Sequence, residues 1–462
     1  MMKKIEGVET ESLCPICLNK LPASIVTEGD TSYMLKTCSE HGTFKTVLWR
    51  GNPPMKNWIR HKEKAYIKNP VTQVDKGCPF DCGLCKDHRQ HTCTALIEVT
   101  QRCNLECKFC FADSSASKEV EPSLEDIRCA YQSVLRVSGK CNIQLSGGEP
   151  TVRNDLPKLV KMGTDLGFPF IQVNTNGIRM AEDESYVMSL KRAGLSSIFL
   201  QFDGTCDEIY KTLRGRALFE KKVKAIELCK KYDIGVVLVP TLVPGVNINQ
   251  IGDIIKFGIR HTPTVRGVHF QPVSYFGRMP KSPQDKDRIT LPEVMEEISK
   301  QTDDMILTES MKPPGCENAL CSFHGNYIIE ENGLMQVTKR SSCCCSTEKA
   351  EEGANKAKAF VARNWSYNNA STNETEEEYS DWDRILKKIQ KNTFSISAMA
   401  FQDVWNVNLE RIKDCCIHVV TNDGRLIPFC MYNITNAAGQ SLYRNEEKRD
   451  LFESNATRKL DT

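Results

Sequence analysis

The chain of 462 residues lacks any long apolar run, and its charges nearly balance. No stretch approaches the roughly 18 apolar residues that a membrane-spanning helix needs, and the mean hydropathy is −0.40. The first residues are not followed by the apolar core of a secretion signal, so we expect a cytoplasmic protein. A net charge of +2 gives no reason to expect nucleic-acid binding.

The abundance of cysteine is the unusual feature of the composition, with 22 in the chain. Disulfide scaffolds are typical of small secreted proteins rather than of a chain of this length. In a reducing cytoplasm, closely spaced cysteines more often bind metal ions. Because thiolate-bound iron clusters are generally sensitive to oxygen, we also expect an anaerobic host.

Four regions can be separated along the chain. Residues 1–55 combine two cysteine knuckles with short alternating runs, which predicts a metal-binding ribbon. Residues 56–94 hold a basic connector and a second cysteine group, and residues 95–305 alternate strand-like and helix-like segments. Residues 306–462 are rich in cysteine and predict an α+β domain, with hairpins over 327–337 and 416–430. The polar stretch 366–380 favours a surface loop or disorder.

The regular region contains six β–α units in sequence. Such alternation predicts a parallel sheet with helices packed outside it, and six units fit a partial (β/α)6 barrel rather than a closed eight-stranded one. Catalytic groups are then expected where the strands end. The predicted strands are Leu96–Thr100, Asn142–Ser146, Phe170–Asn174, Ser197–Phe202, Gly235–Pro240 and Val268–Gln271.

A cysteine triplet follows the first of these strands. Cys103, Cys107 and Cys110 have the spacing C-x3-C-x2-C. A cubane [4Fe–4S] cluster has four irons, so three thiolates leave one iron free to bind another molecule. The alternative is a zinc knuckle that lacks its fourth ligand.

Polar residues and glycines mark the ends of the later strands. Two adjacent glycines after the second strand lack the Cβ atoms that would block a close approach by a ligand. Asparagine at a strand end offers both donors and acceptors, although an ordinary Asn-Gly turn is the alternative reading. The candidate ligand-binding residues are Gly147, Gly148, Glu149, Asn174, Asn176, Asp203, Thr241 and Gln271.

The triplet, with Phe109 before its last cysteine and the strand-end motifs in order after it, resembles the radical SAM superfamily. The resemblance implies that a [4Fe–4S] cluster on the triplet binds S-adenosylmethionine (SAM). An electron then cleaves SAM, and a 5′-deoxyadenosyl radical abstracts hydrogen from an sp3 carbon. It also implies that the Gly-Gly-Glu segment contacts the methionine end of SAM. A reduced electron donor, such as ferredoxin or flavodoxin, is the expected partner.

A second cysteine group precedes the barrel. Cys78, Cys82, Cys85 and Cys93 have the spacing C-x3-C-x2-C-x7-C, which suits a fully ligated auxiliary [4Fe–4S] cluster. A four-cysteine zinc site is the alternative. We expect one or two auxiliary clusters in the chain. A further cluster could draw on Cys316, Cys321, one of Cys343–Cys345, Cys416 and Cys430.

The N-terminal knuckles form a separate candidate metal site. Cys14, Cys17, Cys38 and His41 fit either a rubredoxin-like mononuclear iron or a zinc ribbon. Three cysteines with one histidine favour zinc, but the spacing leaves the metal open. A structural role is favoured over a redox role.

A narrower resemblance rests on the motifs over 77–103 together with the N-terminal knuckles. These are similar to the group that contains archaeal tetraether lipid synthases and chains described as dihydropterin dimethyltransferases. The C-terminal third, with Cys316, Cys321 and the run Cys343–Cys345, instead resembles the radical SAM (seleno)protein TrsS branch.

Three functions follow as hypotheses. The first couples the alkyl carbons of a membrane lipid, and the second transfers a one-carbon unit to a pterin-like small molecule. The third is an iron–sulfur electron-transfer protein, against which the retained Gly147, Gly148 and Glu149 argue. For the lipid hypothesis, the basic stretch 56–68 could contact anionic headgroups, although a solvated linker helix is the simpler interpretation.

Overall fold

The N-terminal region is an antiparallel sheet of four strands in sequence order. The computed structural model describes residues 7–60, 62–117, 121–330, 333–337, 349–367 and 389–444. Buried Lys36 joins this sheet to the rest of the protein, because its Nζ donates to the Val404 carbonyl oxygen at 2.7 Å. The strands are β1 Val8–Leu13, β2 Lys20–Glu28, β3 Thr31–Cys38 and β4 Gly42–Arg50.

A parallel barrel sheet forms the centre of the molecule. Six strands lie side by side in chain order, apart from the short β10, which pairs only with β11. This arrangement confirms the predicted partial (β/α)6 barrel. The strands are β5 Thr94–Thr100, β6 Asn142–Gly147, β7 Ile171–Thr175, β8 Ser197–Gln201, β9 Gly235–Val239, β10 Thr241–Leu242 and β11 Val265–Pro272.

Helices cover the outside of the barrel and bury its apolar face. The helix α2 shows why they begin where they do, since Ser123 and Asp126 form a capping box at its start. The helices up to residue 301 are α1 Met55–Trp58, α2 Leu124–Ser138, α3 Leu156–Asp165, α4 Ile178–Glu182, α5 Glu184–Arg192, α6 Asp207–Arg214, α7 Phe219–Lys231, α8 Ile251–Arg260 and α9 Leu291–Gln301. Short 3₁₀ helices span Pro150–Val152, Ile248–Gln250, Asp285–Asp287, Thr308–Ser310 and Ala319–Cys321.

The C-terminal region extends the barrel sheet on both edges. Strand β14 pairs in parallel with β11, and β15 pairs in parallel with β5. The two predicted hairpins are present as the antiparallel pairs β12–β13 and β15–β16. The elements are β12 Ser322–Glu330, β13 Gly333–Gln336, α10 Ala350–Trp365, β14 Thr393–Met399, α11 Leu409–Ile412, β15 Ile417–Val420, β16 Leu426–Pro428 and α12 Phe429–Asn433.

Helix α10 closes the barrel at the end where the strands begin. It contacts β6, β9, β11 and β14. A Cβ atom on Gly235, the first residue of β9, would lie 2.2 Å from the carbonyl oxygen of Trp365, the last residue of the helix. Only glycine therefore lets the helix backbone approach this strand.

The basic connector packs against the C-terminal region. Within the predicted stretch 56–68, the helix α1 ends at Trp58, so the expected linker helix is only one turn long. Buried Trp58 donates from Nε1 to the Ala319 carbonyl oxygen at 2.8 Å, and the Lys62 Nζ contacts the Glu317 carbonyl oxygen. Among the described residues, no helix combines the length and the apolarity needed to cross a bilayer.

Candidate active site

A cavity of about 1140 Å³ runs along the inside of the barrel. Cys103, Cys107 and Cys110 line it where the strands end, and Cys93 and Cys416 line its far part. Cys93 directly precedes β5 and Cys103 follows it, and the 7 residues of this strand span about 23 Å. Two groups of cysteines therefore face one cavity from opposite ends of a strand.

The loop that carries the predicted SAM-cluster triplet is held from two sides. Arg278 Nε donates to the Cys107 carbonyl oxygen at 2.9 Å, and the backbone of Arg278 pairs with that of Cys110. The Leu213 carbonyl oxygen at the end of α6 accepts a bond from the same loop at 3.2 Å. These contacts fix the three cysteines beside the cavity.

The spacing and environment of the three thiols fit an iron cluster. Their sulfur atoms do not all lie within 4.8 Å of one another, which is wider than ligands of a single ion require. Burial, with a contribution from the Glu149 carboxylate, raises the pKa of Cys103 to about 12. A thiolate at this position would therefore need a nearby cation, which the iron of a bound cluster would supply.

The two glycines of the Gly-Gly-Glu segment allow two backbones to meet. A Cβ on Gly147, which has φ +118°, would lie 2.1 Å from the Thr100 carbonyl oxygen. A Cβ on Gly148 would lie 2.2 Å from the Arg102 carbonyl oxygen. The sequence predicts that these glycines let a ligand approach the backbone. The structure shows a second reason for glycine here, because both residues let the end of β6 pack against the start of the cysteine loop.

The Glu149 carboxylate ties together the ends of β6 and β7. It is 2% exposed, and its Oε1 accepts from the Thr151 backbone at 3.1 Å and from the Thr175 hydroxyl at 2.6 Å. Its Oε2 accepts from the Asn176 backbone N–H at 2.6 Å. The Asn176 side chain in turn donates to Asn104 Oδ1 at 2.7 Å, within the cysteine loop. The side chains of Glu149 and Asn176 thus hold the ends of β6 and β7 and the cysteine loop together.

Asn174 differs from Asn176 because it has an unused acceptor. Its Nδ2 donates to Ser146 Oγ at 3.2 Å, whereas its buried Oδ1 has no hydrogen-bond partner. The residue lines the cavity at the end of β7. A buried acceptor that faces a cavity fits a hydroxyl group of a bound molecule, such as the ribose of SAM.

Asp203 does not line the cavity, and its expected contact with a ligand stays a prediction. It is fully buried, and its two carboxylate oxygens accept from Arg214 at 2.7 and 2.8 Å. Arg214 lies on the cavity wall instead, beside Cys107 and within 3.2 Å of Thr241 Oγ1. Arg214 was not predicted from the sequence, because it is the last residue of a helix rather than part of a strand end.

Amide and aromatic side chains line the barrel beyond the Gly-Gly-Glu segment, which we call the SAM segment. Gln271, as predicted from its place in β11, and Gln201 both line the cavity. Phe199 stacks on Trp365 with ring centroids 5.7 Å apart, and His269 lies 5.3 Å from Phe199. Burial lowers the pKa of His269 to about 4, so this imidazole is neutral at pH 7.

The N-terminal candidate metal site is assembled as the spacing indicates. One ligand atom from each of Cys14, Cys17, Cys38 and His41 lies within 4.8 Å of the other three. The His41 Nδ1 is 3.4 Å from Cys38 Sγ. Hydrogen bonds from the Glu40 backbone and from His41 lower the pKa of Cys38 to about 7, which favours the thiolate that a metal ion binds.

The second cysteine group is divided in the structure. The Cys78 and Cys82 thiols are hydrogen-bonded to each other, and that hydrogen bond, with burial, raises the pKa of Cys82 well above its usual value. Cys93 lies elsewhere, with its Sγ 2.7 Å from Cys316 Sγ. This corrects the predicted set of Cys78, Cys82, Cys85 and Cys93. The cause is the pairing of β5 with β15, which bonds the Cys93 N–H to the Cys416 carbonyl oxygen at 2.8 Å.

The C-terminal cysteines also belong to two groups rather than to one cluster. Cys416 lies with Cys93 and Cys316, whereas Cys321 and Cys430 lie near Cys415, whose pKa burial and these thiols raise. Neighbouring residues in extended chain project to opposite sides, which separates Cys415 from Cys416. Cys415 was not among the ligands predicted from the sequence. The predicted ligands among Cys343–Cys345, and residues 368–380 of the predicted polar loop, lie outside the described residues.

Comparison with known proteins agrees with this geometry. The profile of the radical SAM superfamily matches residues 97–258, and that of the HMPTM N-terminal zinc ribbon domain matches residues 8–50. The solved structure of Streptococcus suis SuiB bound to S-adenosylmethionine covers 47% of this chain and 48% of its own, with 15% identity and a TM-score of 0.39. A similarity at that level carries no argument about function.

Two curated relatives are informative to different extents. A probable GTP 3′,8-cyclase of Methanothermobacter marburgensis is 33% identical over 37% of this chain and 55% of its own length. The 7,8-dihydro-6-hydroxymethylpterin dimethyltransferase of Methanocaldococcus jannaschii is 36% identical over 92% of this chain and 93% of its own length. The chain is therefore a radical SAM enzyme with an N-terminal zinc ribbon, and it belongs to the same family as the M. jannaschii protein.

Proposed function

We propose that this radical SAM enzyme transfers a one-carbon unit from a methyl donor besides SAM to a flat nitrogen heterocycle of the pterin class. The observation that carries the proposal is the lining of the cavity next to the SAM segment. The amides of Gln144, Gln201 and Gln271 project into the barrel there, and the stacked rings of Phe199 and Trp365 lie beside them. The name of the M. jannaschii relative supports the same class of substrate.

The chemistry of this lining suits a heterocycle. The edge of a pterin alternates hydrogen-bond donors and acceptors, and a primary amide offers both. A flat ring also gains from stacking against aromatic side chains. Strand residues alternate between the two faces of a sheet, so Gln144, Gln201 and Gln271 share the inner face of β6, β8 and β11. The polar lining therefore follows from the strand pattern.

Some residues of this chain would bind the cluster and SAM, and others would position the strands that carry them. Cys103, Cys107 and Cys110 would hold a [4Fe–4S] cluster, and Asn174 Oδ1 would accept a bond from SAM. Glu149 would keep the ends of β6 and β7 together. When bound, the cluster and SAM supply a 5′-deoxyadenosyl radical that abstracts hydrogen from carbon. A reduced donor, for which ferredoxin and flavodoxin are our candidates, would deliver the electron.

A second candidate function is the coupling of lipid alkyl chains. One wall of the cavity is a continuous apolar patch in which Phe276 and Phe429 pack with partly buried Phe111 and Phe401 around Leu96. An alkyl chain would bury its surface against these rings at about 25 cal/mol per Å². This wall also begins beside the cysteine triplet, since Phe111 follows Cys110.

Labelled substrates distinguish the two candidates. Reduced enzyme with SAM would receive either a dihydropterin deuterated at its reacting sp3 carbons or a lipid with deuterated alkyl chains. Deuterium in 5′-deoxyadenosine from the pterin alone supports the first candidate, and deuterium from the lipid alone supports the second. If neither substrate transfers deuterium while 5′-deoxyadenosine still forms, both substrate classes are wrong.

Two variants test whether the side chains that line the cavity determine which substrate the enzyme uses. Gln271→Leu removes an amide from the cavity wall, and we expect at least a tenfold loss of pterin-dependent turnover, because a buried polar group of the substrate loses its partner. The lipid-dependent rate should change little. Gln73→Leu, on an exposed loop, is the matched control and should leave both rates unchanged.

A further inference from the structure

A histidine and a serine lie side by side on the inner wall of the barrel. His269 of β11 and Ser397 of β14 are paired residues of neighbouring parallel strands, so both side chains point to the same face of the sheet. The His269 Nδ1 lies 2.8 Å from Ser397 Oγ, and both residues line the cavity. This pair therefore belongs to the wall that a bound molecule would contact.

The second ring nitrogen of His269 is available to a ligand. In the part of the chain that the structure describes, no group bonds to Nε2, and the imidazole is 8% exposed and borders the cavity. Buried polar groups in proteins are nearly always hydrogen-bonded, and the few convergent polar groups of a ligand cavity bond to the ligand. A molecule in the cavity would therefore complete the hydrogen bonding of this imidazole.

The serine lets the imidazole act as a donor or as an acceptor. If the Ser397 hydroxyl donates to Nδ1, the proton of the neutral ring sits on Nε2, which then donates into the cavity. If Nδ1 instead donates to the hydroxyl, Nε2 accepts. The pair can thus bond to a carbonyl group or to an N–H group of an uncharged ring.

Two aromatic rings complete the surroundings of the pair. The centroid of the His269 ring lies 5.3 Å from that of Phe199 and 6.1 Å from that of Trp365. Trp365 belongs to the end of α10, which closes the barrel where the strands begin. Flat apolar rings beside a polar pair fit a heterocycle with a polar edge. An alkyl chain would leave the Nε2 atom without a partner.

Strand geometry sets the pair deeper in the barrel than the SAM segment. His269 precedes Gln271 by two residues in β11, which is about 6.6 Å along a strand. The SAM segment lies where the strands end, so the reacting carbon of a substrate must point outward. In 7,8-dihydro-6-hydroxymethylpterin, the sp3 carbons belong to the reduced ring and its hydroxymethyl group. The pyrimidine ring, with its carbonyl and amino groups, forms the opposite end.

We propose that the substrate heterocycle binds with its pyrimidine end innermost, where the His269 Nε2 and the Ser397 hydroxyl bond to its polar edge. This inference rests on the proposed pterin function, and it adds the orientation of the substrate and the residues that recognise its inner edge. The same orientation leaves the sp3 carbons at the end of the cavity that holds the SAM segment. It also assigns the stacking contacts of Phe199 and Trp365 to the inner ring.

Binding of matched pterins to the full-length protein tests the proposal. Equilibrium dialysis with anaerobically reconstituted, SAM-loaded protein would compare 7,8-dihydro-6-hydroxymethylpterin, its analogue methylated on the pyrimidine N3, and its 6-methyl analogue without the hydroxyl group. We expect His269→Ala to weaken binding of the parent pterin at least tenfold. The N3-methyl group should weaken binding to the wild type by a similar factor and cause little further loss in His269→Ala, because both changes remove the same contact. Loss of the hydroxyl group should have equal effects on both proteins.

Further variants separate this contact from effects on folding. His261→Ala alters a histidine directly after α8 that stacks on Phe257 outside the cavity, and it should keep all three affinities. Ser397→Ala is a smaller change than His269→Ala, and it should weaken binding of the parent pterin while SAM affinity stays at the wild-type value.

The outcomes distinguish this inference from the proposed function. Additive effects of the N3-methyl group and His269→Ala, or equal affinities of the wild type for the parent and its N3-methyl analogue, would overturn the proposal. An effect of His269→Ala that disappears only with the 6-methyl analogue would show that the heterocycle binds the other way round. A wild-type protein that binds SAM but none of the three pterins would contradict the proposed function itself.

Discussion

Glu149→Gln is the substitution whose effect the structure defines best. The carboxylate is buried, and every hydrogen bond that reaches it comes from a donor on Thr151, Thr175 or Asn176. Glutamine can keep one acceptor for the Thr151 and Thr175 donors, but its NH2 group then faces the Asn176 N–H at 2.6 Å. The variant loses one charge-assisted bond, which contributes about 1.5–3 kcal/mol.

The loss should appear in stability and in SAM binding together. We expect the free energy of unfolding to fall by about 2 kcal/mol, measured by urea denaturation. The affinity for SAM should fall about tenfold or more, because 1.4 kcal/mol corresponds to a factor of ten. Glu125→Gln, exposed on α2, should change either quantity by no more than about 0.5 kcal/mol. A Glu149→Gln protein with wild-type stability and SAM affinity would refute the bracing role.

Three further substitutions test other parts of the account. Asp203→Asn should lower the free energy of unfolding by about 3–5 kcal/mol, because it leaves the buried Arg214 charge without its carboxylate partner. A change under 1 kcal/mol in urea denaturation would contradict that ion pair. His269 has a pKa of about 4 in the folded protein, against an ordinary 6.5, so stability should fall as the pH drops from 6.5 to 4, by about 3 kcal/mol in total. His269→Gln should remove that part of the pH dependence, and an unchanged slope would argue against a buried neutral imidazole. Gly147→Ala should abolish 5′-deoxyadenosine formation. The control is Gly139→Ala, at a glycine that also has positive φ but open space around it, and it should cost only about 1 kcal/mol of stability. Equal effects of the two variants would exclude the close backbone contact of Gly147 as the cause.

The barrel was predictable because its signals are local. Each strand is a short apolar run, and each is followed by a helix-period segment, so the order of parallel strands follows from the chain. The position of Asn174 at the end of β7 was predictable for the same reason. Its unpaired Oδ1 was not, since that depends on Ser146 in the neighbouring strand.

The grouping of the cysteines was not predictable from spacing. Cys93 lies in a run that suggests one cluster with Cys78, Cys82 and Cys85, yet its neighbours are more than 200 residues away along the chain. The parallel pairing of the C-terminal strand β15 with β5 decides that outcome, and no local pattern encodes it. Likewise, Arg214 was missed because only the folded chain sets the end of α6 beside the cysteine loop.

The most direct test of the central conclusion is mass spectrometry for 5′-deoxyadenosine. Anaerobically reconstituted protein would be incubated with SAM, a strong reductant and the deuterated dihydropterin, beside a Cys107→Ala variant. The account predicts 5′-deoxyadenosine from the wild type, with deuterium transferred from the substrate, and none from the variant. A wild-type preparation with intact iron–sulfur absorbance and bound SAM that forms no 5′-deoxyadenosine would contradict it.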